Sequence, residues 1–258
     1  MDYPKISIIT PSYNQGQFIE TTINSVLDQG YHNLEYIVID GLSTDNTVSI
    51  LKKYGDRLKW YSEEDNGQAD AINKGINRAS GDILGIINSD DYYLPGSLLL
   101  VANTFLNRPD CMWVTGGYRI VDQGNRPIQS FIVKYKKFLS RFSSISTFKI
   151  ANYVNQPSTF WRRSVHAQVG LFDSSLNYVF DYDFLMRLIL RYSPCYLDQP
   201  LSAFRIHPGS KGGRQYEIQF AEELQVLKRY ERSRILYQLH RIHNKIITST
   251  YKIIKQDL

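Results

Sequence analysis

Two adjacent carboxylates, Asp90 and Asp91, lie just after a short apolar run at residues 83–87, separated from it by Asn88 and Ser89. A short apolar run bounded by turn-forming residues indicates a buried strand. In an open α/β sheet, ligands bind beyond the carboxyl ends of the strands, and carboxylates there suit a divalent cation that holds a phosphate. The alternative is that Asp90 or Asp91 caps the helix that begins near Pro95. This motif alone does not decide between a metal site and a helix cap.

The elements that must position these carboxylates follow from the hydrophobic pattern of the first third of the chain. Short β-branched or apolar runs predict strands, and apolar residues at helical spacing predict the helices between them. The predicted strands are residues 6–10, 36–39, 58–61 and 83–87, and the predicted helices are residues 18–29, 47–54 and 68–79. Continuous apolar strands that alternate with helices indicate an α/β fold, a mostly parallel sheet with helices on both faces.

The pattern changes after about residue 110. The sequence predicts two antiparallel strands, at residues 112–115 and 118–121, around a Gly-Gly pair. A mixed loop region at 126–149, one helix at 181–192 and a long helical extension at 216–255 follow. We expect the extension to break once, near Ser233 or Thr248. The predicted domain covers residues 1–210, with a first half at 1–122 and a second half at 123–210. A basic helical extension at 211–258 follows it.

Charge is segregated along the chain, although the net charge is only +5. Residues 1–122 are acidic, whereas residues 123–172 contain Lys and Arg but no Asp or Glu. Residues 211–258 are basic again. Basic surfaces of this kind are suited to phosphates or anionic lipid. We expect no nucleic-acid partner and interpret these two segments as a possible membrane-facing surface.

The two cysteines and the hydropathy pattern predict a location. Cys111 and Cys195 fit no metal-ligand spacing, which favours free buried thiols. No apolar stretch approaches the roughly 20 residues that a membrane span needs. The N-terminal residues lack the apolar region of a signal peptide. These features predict a cytoplasmic protein, with peripheral attachment to the inner face of the membrane as an open alternative.

Polar segments also follow the first two predicted strands. The first strand ends in the run 11–14, Pro-Ser-Tyr-Asn, which would present backbone groups and an aromatic ring to a nucleobase. The second ends at Asp40, whose carboxylate could accept hydrogen bonds from a base or a ribose. The alternatives are an ordinary loop in which Tyr13 packs, and a helix cap formed by Ser43 or Asp45.

Two later motifs carry further candidate groups. Asp181 and Asp183 stand at the start of a predicted helix, where a carboxylate could remove a proton from a hydroxyl group. The alternative is that Asp181 caps the helix and Asp183 interacts with its dipole. His207 lies in the polar run 204–211, and its imidazole suits manganese better than magnesium.

In this order, the five motifs resemble the family 2 glycosyltransferases of the GT-A fold over roughly residues 4–210. The resemblance implies an inverting sugar transfer from a nucleotide diphospho-sugar, with Mn²⁺ or Mg²⁺ as the cofactor. It implies that Asp90 and His207 hold the metal and that Asp181 is the catalytic base. The implied nucleotide-sugar contacts are Pro11, Ser12, Tyr13, Asn14, Asp40, Asp65, Asn88, Ser89 and Asp90.

The chain departs from the pattern of the family at two positions. The family commonly has two consecutive acids after the second strand, whereas this chain has Asp40 followed by Gly41; Asp40 or Asp65 is expected to take over base recognition. The first acid of the Asp-x-Asp motif is Asn88 here, as in a subgroup of the family. Asn88 can accept a bond from a ribose hydroxyl or hold a metal-bound water, but it supplies no charge.

The acceptor side is less well defined. By resemblance, Trp161 could stack on a sugar, although core packing is an equal alternative, and Arg205 and Lys211 could neutralise the diphosphate. The chain lacks the Gln-x-x-Arg-Trp signature of processive members, so we expect one sugar to be added per encounter. The expected acceptor is a glycan or lipid-linked oligosaccharide in bacterial surface polysaccharide synthesis.

Other interpretations of the chain as a whole remain open. A non-catalytic sugar-binding relative is the main alternative, because Asn88 replaces the usual acid. A dinucleotide-dependent oxidoreductase is disfavoured, since no Gly-x-Gly-x-x-Gly follows the first strand. The C-terminal extension contains an apolar stripe of Ile235, Leu239, Ile242, Ile246 and Ile253. This stripe could lie on an anionic membrane, on its own domain or on a dimer partner.

Overall fold

The computed structural model describes residues 3–128, 130–142, 144–210 and 216–256. Within these residues the strands are β1 Ile6–Ser12, β2 Leu34–Asp40, β3 Lys59–Ser62, β4 Ile83–Ile86, β5 Tyr92–Tyr93, β6 Trp113–Val121, β7 Thr159–Arg162 and β8 Cys195–Arg205. The helices are α1 Ile19–Leu27, α2 Thr47–Lys52, α3 Gln68–Arg78, α4 Ser97–Asn107, α5 Ser130–Ser140, α6 Ile145–Ile150, α7 His166–Val169, α8 Phe180–Arg191, α9 Tyr216–Tyr230 and α10 Arg234–Gln256.

All of these strands join one sheet in the order β3-β2-β1-β4-β7-β6-β8-β5. The first four are mutually parallel, as expected from the alternation of strands and helices. β7 is antiparallel to both β4 and β6, and β8 returns parallel to β6. The sheet therefore runs through both predicted halves of the domain. No helix in the described part of the chain is long and apolar enough to cross a membrane.

Successive strand residues point to opposite faces of the sheet and build two separate hydrophobic cores. Ile9 of β1 packs in the core that contains Ile72 of α3, whereas Ile8 packs in the core that contains Ile23 of α1. Both faces are therefore covered, which explains why the parallel strands are continuously apolar. The predicted α/β architecture with helices on both faces is confirmed.

Two predictions about the second half of the chain are wrong, and a third agrees with the structure. Gly116 and Gly117 do not form a turn between two antiparallel strands, because β6 continues through them with register shifts against β8. The region predicted as mixed loop contains α5 and α6. The break in the C-terminal extension falls at Ser233, one of the two predicted positions, between α9 and α10.

The cysteine prediction is wrong. Cys111 and Cys195 form a disulfide with their Cα atoms 6.2 Å apart. Cys111 precedes β6 and Cys195 begins β8, and these two strands are neighbours in the sheet. The pairing is invisible in the sequence because 84 residues separate the two cysteines. Cysteine usage therefore lends no support to the expected cytoplasmic location.

At the amino ends of the parallel strands, the carboxylate of Glu35 joins several segments. It accepts hydrogen bonds from Ser7 Oγ at 2.6 Å, from the backbone N of Ser80 at 2.7 Å and from Lys59 Nζ at 2.9 Å. Burial alone would raise the pKa of Glu35, but these donors outweigh it and lower the pKa to about 2. The ionised carboxylate thus ties β1, β2, β3 and the turn before β4 together.

We predict that Glu35→Gln destabilises the fold in a pH-dependent manner. Because the folded pKa lies below the unfolded value of 4.5, the carboxylate stabilises the fold above about pH 4.5 and loses this effect as the pH falls towards 2. The variant should lose about 3 kcal/mol of unfolding free energy at pH 7. The difference from the wild type should shrink towards pH 2 in denaturant titrations.

The control for this prediction is Asp56→Asn, which neutralises an exposed acid. It should leave the unfolding free energy within about 0.5 kcal/mol of the wild type at both pH values. A Glu35→Gln deficit that stays constant from pH 7 to pH 2.5 would show that the charge of Glu35 does not carry the effect.

Candidate active site

A cleft of about 360 Å³ opens at the carboxyl ends of β1 and β4. These strands pair in parallel, so the polar segments that follow them meet at one edge of the sheet. The lining consists of Pro11, Ser12, Tyr13, Gln15, Asp65, Gly67, Gln68, Ala71, Asn88, Ser89, Asp90, Phe204, Gly209 and Ser210. Seven of the nine predicted nucleotide-sugar residues therefore lie together, and Asn14 and Asp40 do not line the cleft.

Asp91 anchors the loop that follows β4. Its side chain is fully buried and accepts hydrogen bonds from the backbone N of Arg205 at 2.8 Å and from Asn88 Nδ2 at 2.9 Å. Burial raises the pKa of Asp91 well above its usual value, and the neighbouring charge of Asp90 adds to this shift. The N-cap of α4 is Gly96. The interpretation of Asp91 as the cap of this helix is therefore wrong.

Asp90, by contrast, lines the cleft and contacts His207, which does not itself line it. Asp90 Oδ2 lies 3.1 Å from His207 Nε2. The imidazole ring packs against the ring of Phe18 with centroids 4.6 Å apart, which fixes its position. The structure thus brings together the two predicted metal ligands, although 117 residues separate them in the sequence. Among the described residues, no third His, Cys, Asp or Glu joins them as a ready-made cluster.

Arg205 supports this loop from below and does not face a ligand. Its side chain is 2% exposed, Nε donates to the Asp90 carbonyl at 2.7 Å, and one terminal nitrogen donates to Asn125 Oδ1 at 2.7 Å. The guanidinium also lies over the rings of Phe18 and Tyr92. The prediction that Arg205 neutralises a diphosphate is therefore wrong, because its donors are bound within the protein. Lys211 lies outside the described residues.

Asn14 and Asp40 shape the cleft without lining it. Asp40 is fully buried, and its carboxylate accepts bonds from Ser43 N at 3.0 Å and Ser62 Oγ at 2.6 Å. Asn14 has a φ of +51° and accepts a bond from Thr44 N at 2.8 Å. Asp40 therefore joins the loop after β2 to the end of β3, and Asn14 joins the same loop to the segment after β1.

Asp65 occupies the space that a second acid after β2 would need. A Cβ built on Gly41 would overlap Asp65 Oδ2, whereas Asp65 Oδ1 accepts a bond from Gly67 N at 2.8 Å. Asp65 lines the cleft and Asp40 does not. Of the two acids predicted to take over base recognition, only Asp65 is placed where a ligand in the cleft could reach it.

Gln68 is a cleft residue that sequence reasoning missed. Its Nε2 donates to Asn88 Oδ1 at 2.8 Å, and both residues line the cleft. Because Asn88 Nδ2 donates to Asp91, the amide of Asn88 is bound on both sides. The available signal was the position of Gln68, which begins α3 immediately after the turn at Gly67. A side chain at the first turn of a helix that faces the sheet edge is well placed to meet a ligand.

Trp161 belongs to the hydrophobic core. It is 1% exposed, packs against the ring of Phe184 with centroids 5.0 Å apart, and donates from Nε1 to His166 Nε2 at 3.0 Å. The prediction that Trp161 stacks on a sugar is therefore wrong, and the packing alternative is confirmed. The segment 155–163 supports the sheet through short 3₁₀ turns and β7. Within it, Gln156 Nε2 donates to the carbonyl of Ile86 at 3.0 Å.

Asp181 lies in the first turn of α8, half-buried and outside the lining of the cleft. Its Oδ1 accepts a bond from the backbone N of Tyr182 at 2.8 Å. Burial raises the pKa of Glu223 on α9 to about 7; the charge of Lys136 on α5 opposes this shift and that of Asp181 adds to it. Asp181 is therefore close enough to α5 and α9 to interact with their charges.

Asp183 is engaged differently from Asp181. It is 2% exposed, and its two oxygens bind Arg187 Nε at 2.9 Å and the hydroxyl of Tyr230 at 2.7 Å. These contacts fasten α8 to α9. Asp183 is therefore a structural residue that fastens these two helices.

The sequence matches the family model described as "Glycosyl transferase family 2" over residues 7–170. It is 32% identical over 208 residues to an uncharacterized glycosyltransferase of Rickettsia typhi, across 79% of this chain and 64% of that protein. It is 38% identical over 133 residues to the putative teichuronic acid biosynthesis glycosyltransferase TuaG of Bacillus subtilis, across 50% of this chain and 52% of TuaG. The chain thus spans less than two thirds of the length of either relative.

Solved structures share the fold at low sequence identity. Residues 1–349 of S. aureus TarS in complex with UDP-GlcNAc superimpose with a TM-score of 0.67 at 20% identity, across 86% of this chain and 65% of that fragment. The mannosyltransferase PcManGT of Pyrobaculum calidifontis, in complex with GDP-Man and Mn²⁺, gives 0.68 at 19% identity, across 95% of this chain and 70% of that one. The expected GT-A fold is confirmed.

We predict that Thr22→Val weakens the support of the loop after β4. Thr22 Oγ1 is buried and lies 2.9 Å from the carbonyl of Ser89 and 2.6 Å from that of Asp91. The valine has the same shape but leaves these carbonyls without a donor, which should cost about 1–3 kcal/mol in unfolding free energy. Thr104→Val, which removes a single bond to the carbonyl of Leu100 within α4, is the matched control and should cost less. Equal losses would contradict the proposed support.

Proposed function

Since the chain belongs to glycosyl transferase family 2, we propose that it is an inverting, metal-dependent and non-processive glycosyltransferase. Its donor is a nucleotide diphospho-sugar, with UDP as the expected nucleotide and a hexose or N-acetylhexosamine as the sugar. Its acceptor is a hydroxyl of a glycan or lipid-linked oligosaccharide. The observation that carries this proposal is the pairing of Asp90 with His207 at the cleft beyond β1 and β4.

The Asp90–His207 pair fits a divalent cation that is shared with a ligand. A carboxylate oxygen and an imidazole nitrogen 3.1 Å apart can both turn their lone pairs to one ion, and the remaining ligands would come from phosphate and water. The absence of a third acidic or histidine ligand among the described residues agrees with a site completed by substrate. Mn²⁺ or Mg²⁺, when bound there, would supply positive charge to the departing diphosphate.

The opposite end of the cleft suits the nucleoside. Tyr13 lines the cleft with its ring 60% exposed, so that a base can stack on it. Asp65 stands beside Gly41, with one carboxylate oxygen over the glycine. We assign Asp65 to hydrogen bonding with the base, and Asn88 and Ser89, near the metal pair, to the ribose and phosphate. The Asn-Ser-Asp-Asp form of the motif then remains compatible with catalysis because Asp90 retains the charge.

We assign the proton transfer to Asp181. Its carboxylate would accept the proton of the acceptor hydroxyl while that oxygen attacks the anomeric carbon and the nucleoside diphosphate leaves from the opposite face. Asp183 is unsuited to this role because Arg187 and Tyr230 occupy both of its oxygens. The interaction of Asp181 with charges of α5 and α9 agrees with an acceptor that enters from the second half of the domain.

The expected setting is bacterial surface polysaccharide synthesis. This proposal is supported by the similarity to TuaG, a putative teichuronic acid biosynthesis glycosyltransferase, over half of this chain. Peripheral attachment to the inner membrane face and homodimerisation through the C-terminal helices are competing proposals for the exposed side of α10. A non-catalytic nucleotide-sugar-binding relative is the second candidate function, because Asn88 stands in place of an acid.

We predict that Asp181→Asn abolishes sugar transfer while nucleotide binding is retained. Asparagine keeps the shape of the side chain but cannot accept the proton, so kcat should fall by at least about 100-fold. UDP affinity with Mn²⁺, measured by calorimetry, should change less than about threefold. Asp110→Asn, an exposed acid after α4, is the control for general effects of charge. Full turnover by Asp181→Asn would overturn the assignment of the base.

We further predict that Gly41→Ala and Asp65→Asn weaken UDP binding for the same reason, the loss of the contact made by the Asp65 carboxylate. The added methyl would overlap Asp65 Oδ2 and push the carboxylate away, so each single change should lower UDP affinity by about tenfold. The double variant should lose little more than either single variant, since both remove the same contact. At Gly124, where a Cβ would make only ordinary contacts, alanine is the control. Additive losses would contradict the role of Asp65.

A further inference from the structure

The helix α10 packs on the protein with a mixed face, on which Tyr237 meets the core and two polar residues are buried, and it turns an apolar stripe to solvent. The residues that it buries most completely are His240 and Asn244, which are 0% and 5% exposed. The residues of the predicted apolar stripe are between 43% and 73% exposed and are Ile235, Leu239, Ile242 and Ile246. The side chain of Ile253 lies outside the described ones. A surface helix normally packs its apolar stripe on the core, so this stripe is not what attaches α10 to its own domain.

Specific contacts on the inner face fix this orientation. His240 donates from Nδ1 to the carbonyl oxygen of Lys149 at 2.6 Å. The ring of His243 stacks on Tyr135 of α5 with centroids 6.0 Å apart. Rotating α10 to bury its isoleucines would break both contacts. The apolar stripe is therefore held outwards.

The neighbouring helix α5 exposes a second apolar group. Phe131 and Phe138 stand seven residues apart, two turns of one helix face, and are 74% and 54% exposed. Phe142, just beyond α5, is exposed too, and its ring meets that of Phe138 edge to face with centroids 5.2 Å apart. Aromatic and large aliphatic side chains that are held towards solvent on adjacent helices mark an interaction surface.

The charges around these apolar groups are mostly positive, although Lys137 of α5 pairs with Asp198 at 3.2 Å. No Asp or Glu occurs in α5 or α10. The exposed cations that flank the two groups are Lys134, Arg141, Arg234, Arg241 and Lys245. A second copy of the same surface would bring cations against cations, which disfavours a symmetric dimer. An anionic lipid surface offers both complements, an apolar interior and negatively charged phosphates.

From the outward-held apolar stripe of α10, the exposed aromatics of α5 and their predominantly cationic border, we infer that α5 and α10 form one docking surface for an anionic membrane. The isoleucines, leucine and phenylalanines enter the interface, and the lysines and arginines bind lipid phosphates. Docking itself does not depend on the proposed sugar transfer. The two are connected only in that a lipid-linked acceptor would be delivered to the side of the domain on which Asp181 lies.

Flotation with lipid vesicles tests this inference. The whole chain should float with vesicles of phosphatidylcholine and about one-third phosphatidylglycerol, and not with phosphatidylcholine alone. Raising the salt concentration to about 0.5 M should release most of it. The double variant Ile242→Asp/Ile246→Asp should lower the bound fraction by at least about tenfold. Because both side chains are exposed, circular dichroism and the melting temperature should stay unchanged.

The matched control is Leu99→Asp on α4, where the leucine is 46% exposed but lies outside the docking surface. It should float like the wild type. Failure of the wild type to float, or equal binding to neutral and anionic vesicles, would overturn the inference. A non-floating wild type that is dimeric by light scattering, and becomes monomeric in the double variant, would assign the surface to a second copy instead. UDP binding by the double variant, measured separately, distinguishes loss of docking from failure of the proposed function.

Discussion

A buried carboxylate must be supplied with donors, and in this fold Asp91 obtains them from Asn88 and from the backbone of Arg205. This one interaction joins the loop after β4 to the end of β8, 114 residues away. Arg205 strengthens the joint because its guanidinium also binds the carbonyl of Asp90. The neighbouring residues are thereby brought together: Asp90 lines the cleft, and His207 contacts its carboxylate. Of the two adjacent acids, Asp91 therefore holds the loop together, and Asp90 faces the cleft.

The local parts of this arrangement could be read from the sequence. Each parallel strand is a short apolar run followed by polar residues, so the sheet edge and the residues that gather on it follow from the order of the segments. The parts that depend on pairing between distant segments could not. Asp65 takes the place of a second acid after β2 only because the folded chain brings its carboxylate over Gly41. The disulfide requires β6 and β8 to be neighbours.

Two other differences arise because tertiary contacts outweigh local signals. A Gly-Gly pair normally indicates a turn, but β8 pairs with β6 on both sides of Gly116 and Gly117 and the strand continues. The helix α5 was missed because two of its large apolar residues, Phe131 and Phe138, are exposed, so that the pattern does not look like a helix packed on a core. The two proposed binding surfaces therefore differ in kind. The cleft at the sheet edge suits a small polar ligand, whereas the surface of α5 and α10 suits a large partner.

The central claim is that Asp90 and His207 bind the diphosphate of a nucleotide through a shared divalent cation. The most direct test is calorimetric titration of UDP into the wild type, Asp90→Asn and His207→Ala, each with Mn²⁺ and with a chelator. We expect Mn²⁺ to strengthen UDP binding to the wild type by at least about tenfold, and this enhancement to disappear in both variants while their metal-free affinity is unchanged. UDP binding by the wild type that is equal with and without Mn²⁺ would contradict this claim.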